Sequence, residues 1–415
     1  MKLFALLPVL GLAVGVGRWA PERGIQGVMP QVRAPAELRV VLGSAPYEIA
    51  VGGNSPWRLD DAWGRTHARD ASESWKVERS NRRLRAVSKD GQRATAWSEE
   101  PLAVVADGAG ATVTFAGHRY RGELRYVATD TAVVVVNVLP LEDYLRGVVP
   151  LEIGPRRPNE AGAVEAQAIA ARSYTVVRAL EGVMRPWDLL ALPTDQVYGG
   201  MDAESPSADA AIVATAGLVL TYGGQAVRAP YHSTCGGSTA APSEVWRGST
   251  DSWLRAVSDR IQGTTRFWCD ISPRFTWDRT IEERGLLDGI ARQGNGRVGR
   301  VTMVRVGSLT PSGRVRTLAF DTDLGLVTMT GNDMRFALRS VGGELLNSTY
   351  FSLEPVVGRE GRLTRLVLRG RGNGHGVGMC QWGAIGRARA GMTAREILDA
   401  YYPGTSLARV TTGRR

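Results

Sequence analysis

Two hydrophobic rhythms divide this chain. Leu38 to Leu42, Glu48 to Val51 and Leu102 to Val105 are short apolar runs separated by Gly, Pro, Asp and Asn clusters, so residues 36–120 are predicted to form a small β-rich region. Tyr120 to Val127 and Ala132 to Val138 flank Thr129-Asp130-Thr131 and predict a hairpin. Its second arm is β-branched at nearly every position, as a buried strand would be. The period then changes. Ala161, Val164, Ala168 and Ala171 recur at helical spacing, and Ala163, Ala166 and Ala170 keep the other faces small. A helix small on several faces packs closely on all sides. Asn159 is the predicted N-cap, and Gly182 and Pro186 the stop. Gln167, Arg172 and Tyr174 are polar exceptions on that helix and need partners.

Strand and helix are joined by a stretch that carries one isolated acid. Pro140 opens a short helical turn bearing Glu142, Asp143, Tyr144 and Arg146. Val148 to Pro155 follows, and its two prolines and glycine predict an irregular loop in which Glu152 is the only charge. A carboxylate between Leu151 and Ile153 is poorly solvated, which raises its pKa and suits it to donate a proton.

The pattern continues with a loop at Asp195 to Gly200 and a helix opened by Ser205-Pro206 and stopped by Gly217. Leu218 to Tyr222 and Gln225 to Ala229 make a tight hairpin about Gly223-Gly224 and deliver Tyr231-His232-Ser233-Thr234-Cys235 to its end. Strands are predicted within Val301 to Phe320 and at Leu363 to Leu368, with a short helix near Met334 to Arg339. Gly370 to Met379 is too glycine-rich for anything but a loop that lets backbone approach a ligand or another backbone. Thr393 and Glu396 form a capping box for a last helix ending before Pro403-Gly404. The fold class is therefore α+β, with a central buried helix.

Composition narrows the function classes. A length of 415 residues with 43% hydrophobic content allows two or three domains with sizeable cores. The net charge of +10 is carried almost entirely by arginine, with lysine only at positions 2, 76 and 89. Such a balance suits a polyanion, but the absence of a compact basic helix or RNA-binding signature argues against nucleic acid. Lys2 followed by the apolar run Leu3 to Val16 fits an export signal or an uncleaved anchor over residues 1–19; no other stretch is long and apolar enough to span a bilayer. His67 and His118 have no partners at ligand spacing and read as surface or hairpin residues.

The motifs Leu141-Glu142-Asp143-Tyr144-Leu145, Gly147-Val148-Val149-Pro150, Ala166-Gln167-Ala168, Ala170-Ala171-Arg172-Ser173-Tyr174, Gln196-Val197-Tyr198, Tyr231-His232-Ser233 and Gly374-His375-Gly376-Val377-Gly378-Met379 occur in that order. Together they resemble the stage II sporulation protein D family, which also contains amidase enhancers. The resemblance covers residues 100–405 and implies one catalytic domain over 121–405, acting on peptidoglycan glycan strands stripped of stem peptides. It puts the catalytic acid of a lytic transglycosylase at Glu152, although Leu151 stands where the family has serine and Gly154 moves the following proline back one position. One carboxyl suffices to protonate the bond between N-acetylmuramic acid and N-acetylglucosamine and then to deprotonate the C6 hydroxyl; a hydrolase needs two placed carboxylates. The same resemblance implies substrate contacts for Gln167, Arg172, Tyr174, Gln196, Tyr198, Tyr231, His232, Ser233, His375 and Gln381. The alternative it leaves open is a non-catalytic enhancer or recruiter of a peptidoglycan amidase.

No cofactor is expected. The segment Leu190 to Asp195, where some family members carry a Cys/His zinc cluster, offers no soft ligand. A zinc hydrolase on His232, Cys235, His375 and Cys380 lacks a His-Glu-x-x-His helix. The resemblance places the loops of Cys235 and Cys380 on one cleft, which implies a disulfide between them in an oxidising compartment, with Cys269 left over. Three separate buried thiols, or a zinc site of all three completed by a histidine, are the other readings.

Overall fold

The computed structural model describes residues 29–53, 56–69, 74–108, 110–249, 251–293, 298–340 and 342–413. The predicted export segment, residues 1–19, lies outside them. The architecture is α+β: a β-rich first half, then helices and strands around one long buried helix.

A seven-stranded sheet runs in the order Leu189–Leu190, Glu37–Ala45, Val133–Pro140, Glu123–Ala128, Leu102–Ala106, Trp57–Asp60 and Thr66–Arg69. All neighbours are antiparallel except Leu189–Leu190, which lies parallel to Glu37–Ala45. The sheet thus joins strands from both sides of residue 120. The valine strand is buried on both faces, as its unbroken apolar run requires. Its one polar residue, Asn137, is also fully buried, and it donates to the carbonyls of Arg121 and Glu123 while accepting the Tyr198 hydroxyl.

Pro140 ends this strand and caps α1 (Leu141–Arg146), and α2 (Val149–Ile153) follows at once. Glu152 therefore lies on a helix and not in the predicted irregular loop. The reason is local: Pro150 sits in the first turn, where its missing N–H costs nothing, and Gly154 stops the helix at a φ of 72°. α3 (Ala161–Glu181) begins two residues after the predicted cap, because Pro158–Glu160 forms a tighter 3-10 turn. Glu160 closes that turn by accepting the Arg157 N–H and pairs with Arg389. Gly182 ends α3 as predicted.

α4 (Pro206–Ala214) and the strand Leu218–Tyr222 pack on α3. That strand belongs to a four-stranded sheet with the order Gln31–Pro35, Ser406–Gly413, Leu218–Tyr222 and Gln225–Ala226. After α5 (Pro242–Val245) a second, separate core gathers around Leu286, Ile290, Leu318, Phe320, Leu366 and Leu368. It is built from two three-stranded sheets with α6 (Glu283–Arg292) and α7 (Asp333–Ala337). The chain then returns to the first core with α8 (Gln381–Arg389) and α9 (Ala394–Tyr401), both against α3. The Thr393/Glu396 capping box is formed as read from sequence.

The glycine-rich loop before α8 packs against backbone. Gly378 has a φ of 72°, and a Cβ there would lie 2.0 Å from the Pro230 carbonyl oxygen. That closeness lets Met379–Cys380 pair in parallel with Tyr231–His232.

Buried among small residues, the Arg172 guanidinium is fully enclosed and makes a two-pronged pair with Glu142, at 2.9 and 2.7 Å, while also donating to the carbonyls of Leu218 and Ile212. Removing Glu142 would leave that cation without its counter-charge. Glu142→Ala is expected to cost about 3 kcal/mol in denaturant unfolding, whereas Asp399→Ala, which breaks the exposed pair with Arg395, is expected to cost under about 0.5 kcal/mol. Equal losses in the two variants would show that the Arg172 pair is no anchor.

Candidate functional site

α2 carries Glu152 to a half-buried position beside the loop that follows α3. Its Oε1 accepts the Val197 backbone N–H at 3.0 Å, and no other hydrogen bond reaches the carboxylate among the described residues. Loss of water raises its pKa above the ordinary carboxylate value, and the single N–H bond only partly offsets this. The Tyr231 and Tyr144 hydroxyls lie close enough to feel its charge; burial is the larger reason that both hold their protons well above the usual tyrosine range.

Gln196 ties this group together. Its Oε1 accepts from the Tyr144 hydroxyl at 3.2 Å and lies 2.7 Å from the Thr175 hydroxyl, which is shared with the Ala171 carbonyl. Its Nε2 donates to the Tyr231 hydroxyl at 2.9 Å and to the Ala171 carbonyl at 3.4 Å. Every hydrogen-bonding position of the amide is used, so its orientation is fixed. Because Tyr231 accepts from Gln196, its own proton is free for another partner. Tyr174 donates to Asp195, which also takes Arg178 and the Leu190 N–H. Asp195 is fully engaged and offers no second reactive carboxylate beside Glu152.

The structure thus brings Glu152, Tyr174, Gln196 and Tyr231 together and adds Tyr144 and Thr175, which the sequence reading did not include. Tyr144 was visible on its helical turn, but nothing in the pattern showed which way it faced. Other predicted contacts fall elsewhere. Arg172 is turned inward to Glu142 and has no exposed donor. Tyr198 stacks against Tyr144 and bonds Asn137. Gln167 and Gln381 form a buried pair at 3.3 Å between α3 and α8. Ser233 gives its carbonyl to the Trp382 N–H, and its hydroxyl lies 3.3 Å from that of Thr234.

The two histidines are held as neutral hydrogen-bonding groups. His232 donates from Nδ1 to the Val377 carbonyl, and His375 donates from Nε2 to the Tyr231 carbonyl while its Nδ1 accepts the Val377 N–H. Loss of water lowers both, His375 to about 4, so neither ring carries charge near neutral pH. They fasten the paired loops and do not join the Gln196 network. Near them, the expected Cys235–Cys380 disulfide is absent: all three cysteines are buried free thiols. Cys235 Sγ is 3.4 Å from Cys269 Sγ, and the Cys235 N–H donates to Cys380 Sγ at 3.1 Å, so the three meet as one cluster. Asp259, which no motif marked, completes it.

A hollow of about 520 Å³ lies on the second core between Met303–Leu309 and Phe351–Pro355, away from Glu152, and its lining holds no acid, histidine or cysteine.

Comparison with known proteins finds relatives over much of the chain. A family model described as Stage II sporulation protein matches residues 129–222, which hold Glu152, α3 and Gln196. A second, a domain of unknown function, matches residues 267–378, the region of the second core. An uncharacterized protein of Brachyspira hyodysenteriae is 29% identical over 297 residues, 71% of this chain and 73% of its own. The amidase enhancer of Bacillus subtilis is 29% identical over 298 residues, and the match spans 63% of this chain but only 40% of the enhancer. Stage II sporulation protein D of Bacillus subtilis is 29% identical over 295 residues, covering 67% and 77% of the two chains. With the order of motifs and these relatives in agreement, the chain is similar over most of its length to stage II sporulation protein D and, over residues 129–222, matches the model of that family.

Proposed function

We propose that this protein is exported and works on cell-wall peptidoglycan, binding glycan strands at the Glu152 site in support of a peptidoglycan amidase. The observation that carries this reading is the relation to a protein named for enhancing an amidase, across the segment that builds the site. The site itself suits a sugar polymer. Half-exposed Leu151 and Val197 flank Glu152, and the Tyr231 hydroxyl lies close enough to feel the Glu152 charge. Aromatic and amide groups of this kind hydrogen-bond hydroxyl and acetamido groups. No helix among the described residues is long and apolar enough to cross a membrane.

A second reading is favoured by one specific observation, the raised pKa of Glu152. A carboxyl whose pKa is raised by loss of water holds its proton to a higher pH than an ordinary one and suits general-acid work. Glu152 would protonate the glycosidic oxygen between N-acetylmuramic acid and N-acetylglucosamine, and the leaving sugar would depart with that proton. The resulting carboxylate would take the proton of the C6 hydroxyl as its oxygen closes on C1, giving a 1,6-anhydro end. Acid and base are then one group, and no second carboxylate is required. Tyr231 would steady the charge on Glu152 through its free proton.

These readings separate in one experiment. Denuded glycan strands are incubated with the protein, and amidase-driven release of stem peptides from intact peptidoglycan is followed with and without it. Under the enhancer reading, peptide release rises several-fold, no anhydromuramyl ends appear in the mass spectrum, and Glu152→Gln retains the stimulation. Under the transglycosylase reading, anhydromuramyl ends appear and fall by at least about a hundred-fold in Glu152→Gln. Neither effect in a folded protein would remove both.

Glu152 also makes a stability prediction. Its folded pKa lies above the unfolded value of about 4.3, so the native state binds the extra proton and stability falls as pH rises through that window. Gln carries no such penalty and still accepts from Val197. Glu152→Gln should therefore melt at a higher temperature than the parent at pH 7, with the difference vanishing below about pH 4. A variant that melts lower at pH 7 would contradict the raised pKa.

A further inference from the structure

The four buried groups Cys235, Asp259, Cys269 and Cys380 lie outside the Gln196 network and need an explanation of their own. One donor atom from each lies within 4.8 Å of all the others. A tetrahedral zinc ion at about 2.3 Å from sulfur sets its donors about 3.8 Å apart, a spacing this cluster already approaches. We propose that Cys235, Cys269, Cys380 and Asp259 form a closed structural site for one zinc ion.

The donors come from three separate pieces of chain, so no short spacing motif could announce them. Cys235 follows the Tyr231–His232 strand, Asp259 and Cys269 flank the loop after α5, and Cys380 is the N-cap of α8. Each is already oriented by a neighbour. Cys380 Sγ accepts the Cys235 and Gly383 N–H groups, which fix the sulfur at the start of α8. Asp259 accepts from the Tyr401 hydroxyl at 2.6 Å, the Arg387 guanidinium at 3.3 Å and the Cys269 N–H at 3.0 Å. Outer contacts of this kind fix metal ligands and offset their charge. Gly383 makes room: a Cβ there would lie 2.8 Å from both Asp259 oxygens.

Alternatives account for less. A Cys235–Cys269 bridge would leave Cys380 and a buried carboxylate pressed together for no evident reason. Arg387 balances one negative charge, and the cluster offers up to four. Three thiolates select a soft or borderline ion, while the single carboxylate and the absence of a fourth sulfur disfavour an iron–sulfur cluster. All four residues are buried, so the site has no open position for a substrate and its role would be to hold loops together. Those loops include the parallel pair that presents Tyr231. Zinc here is independent of whether Glu152 cleaves glycan.

The full chain, expressed with zinc and purified without chelator, should contain about one zinc per chain by mass spectrometry of the digested protein. Unreduced protein denatured with a chelator should then titrate three thiols. Replacement by cobalt should give the intense visible bands of a tetrahedral thiolate site, a signature that does not depend on activity. Cys269→Ser should lose the metal, and His375→Gln should keep it. If the sulfur variant does not fold, the content and spectrum of the parent protein still decide. A folded parent that neither contains nor takes up zinc or cobalt under reducing conditions would overturn the site. So would a single titratable thiol, which would reveal a bridge, or iron in place of zinc.

Discussion

The structure depends on burying a 21-residue helix, α3, on nearly every side. Only a helix of small residues can be approached so closely by α4, α8, α9 and the strand Leu218–Tyr222 at once, since each added methylene would push against fixed backbone at a cost of about 1–3 kcal/mol. Its few polar side chains then have nowhere to go but into those neighbours. Gln167 meets Gln381 of α8, Arg172 meets Glu142 of α1, Ser173 accepts the Leu220 N–H, and Thr175 meets Gln196. A buried polar group without a partner destabilises a core by about 1–3 kcal/mol, and each of these contacts fixes the position of one element around the helix. The candidate site is one product of this arrangement, because Thr175 orients the amide that orients Tyr231.

A buried arginine helps to link the two cores. Arg314 stands at the start of a strand in the second body, and its guanidinium donates to the carbonyls of Cys235 and Ser238 in the first. It also lies where a Cβ on Gly376 would be, so the glycine-rich loop is shaped around it. The second body therefore supports the loops next to the site without supplying a residue to the Gln196 network.

Much of the fold was legible in local pattern. Glu48–Val51, the Gly223-Gly224 hairpin, the Thr393/Glu396 cap and the Gly182 stop appear where turn and cap chemistry put them. What misled were residues with two local readings. Pro150 breaks a helix in its middle but begins one at its first turn, so Glu152 looked like a loop acid. Asn159 is a good cap by type, yet a 3-10 turn stabilised by Glu160 took its place. At the site, the residue types were visible and their directions were not. Arg172, His232 and His375 carry the chemistry of ligand contacts, but long-range partners such as Glu142 and Val377 turn them into the fold. Asp259 was invisible because its neighbours in space lie far away in sequence.

One sheet constrains how the protein comes into being. Ser406–Gly413 is an interior strand, lying between Gln31–Pro35 on one side and Leu218–Tyr222 on the other. During synthesis from the N-terminus, those two flanking strands must wait with open hydrogen-bonding edges until almost four hundred residues have been added after the first of them. Unpaired edges of that kind recruit other chains. A chain released early, or held up while crossing a membrane, is thus a chain with two sticky edges, and its handling before completion depends on whatever keeps those edges apart.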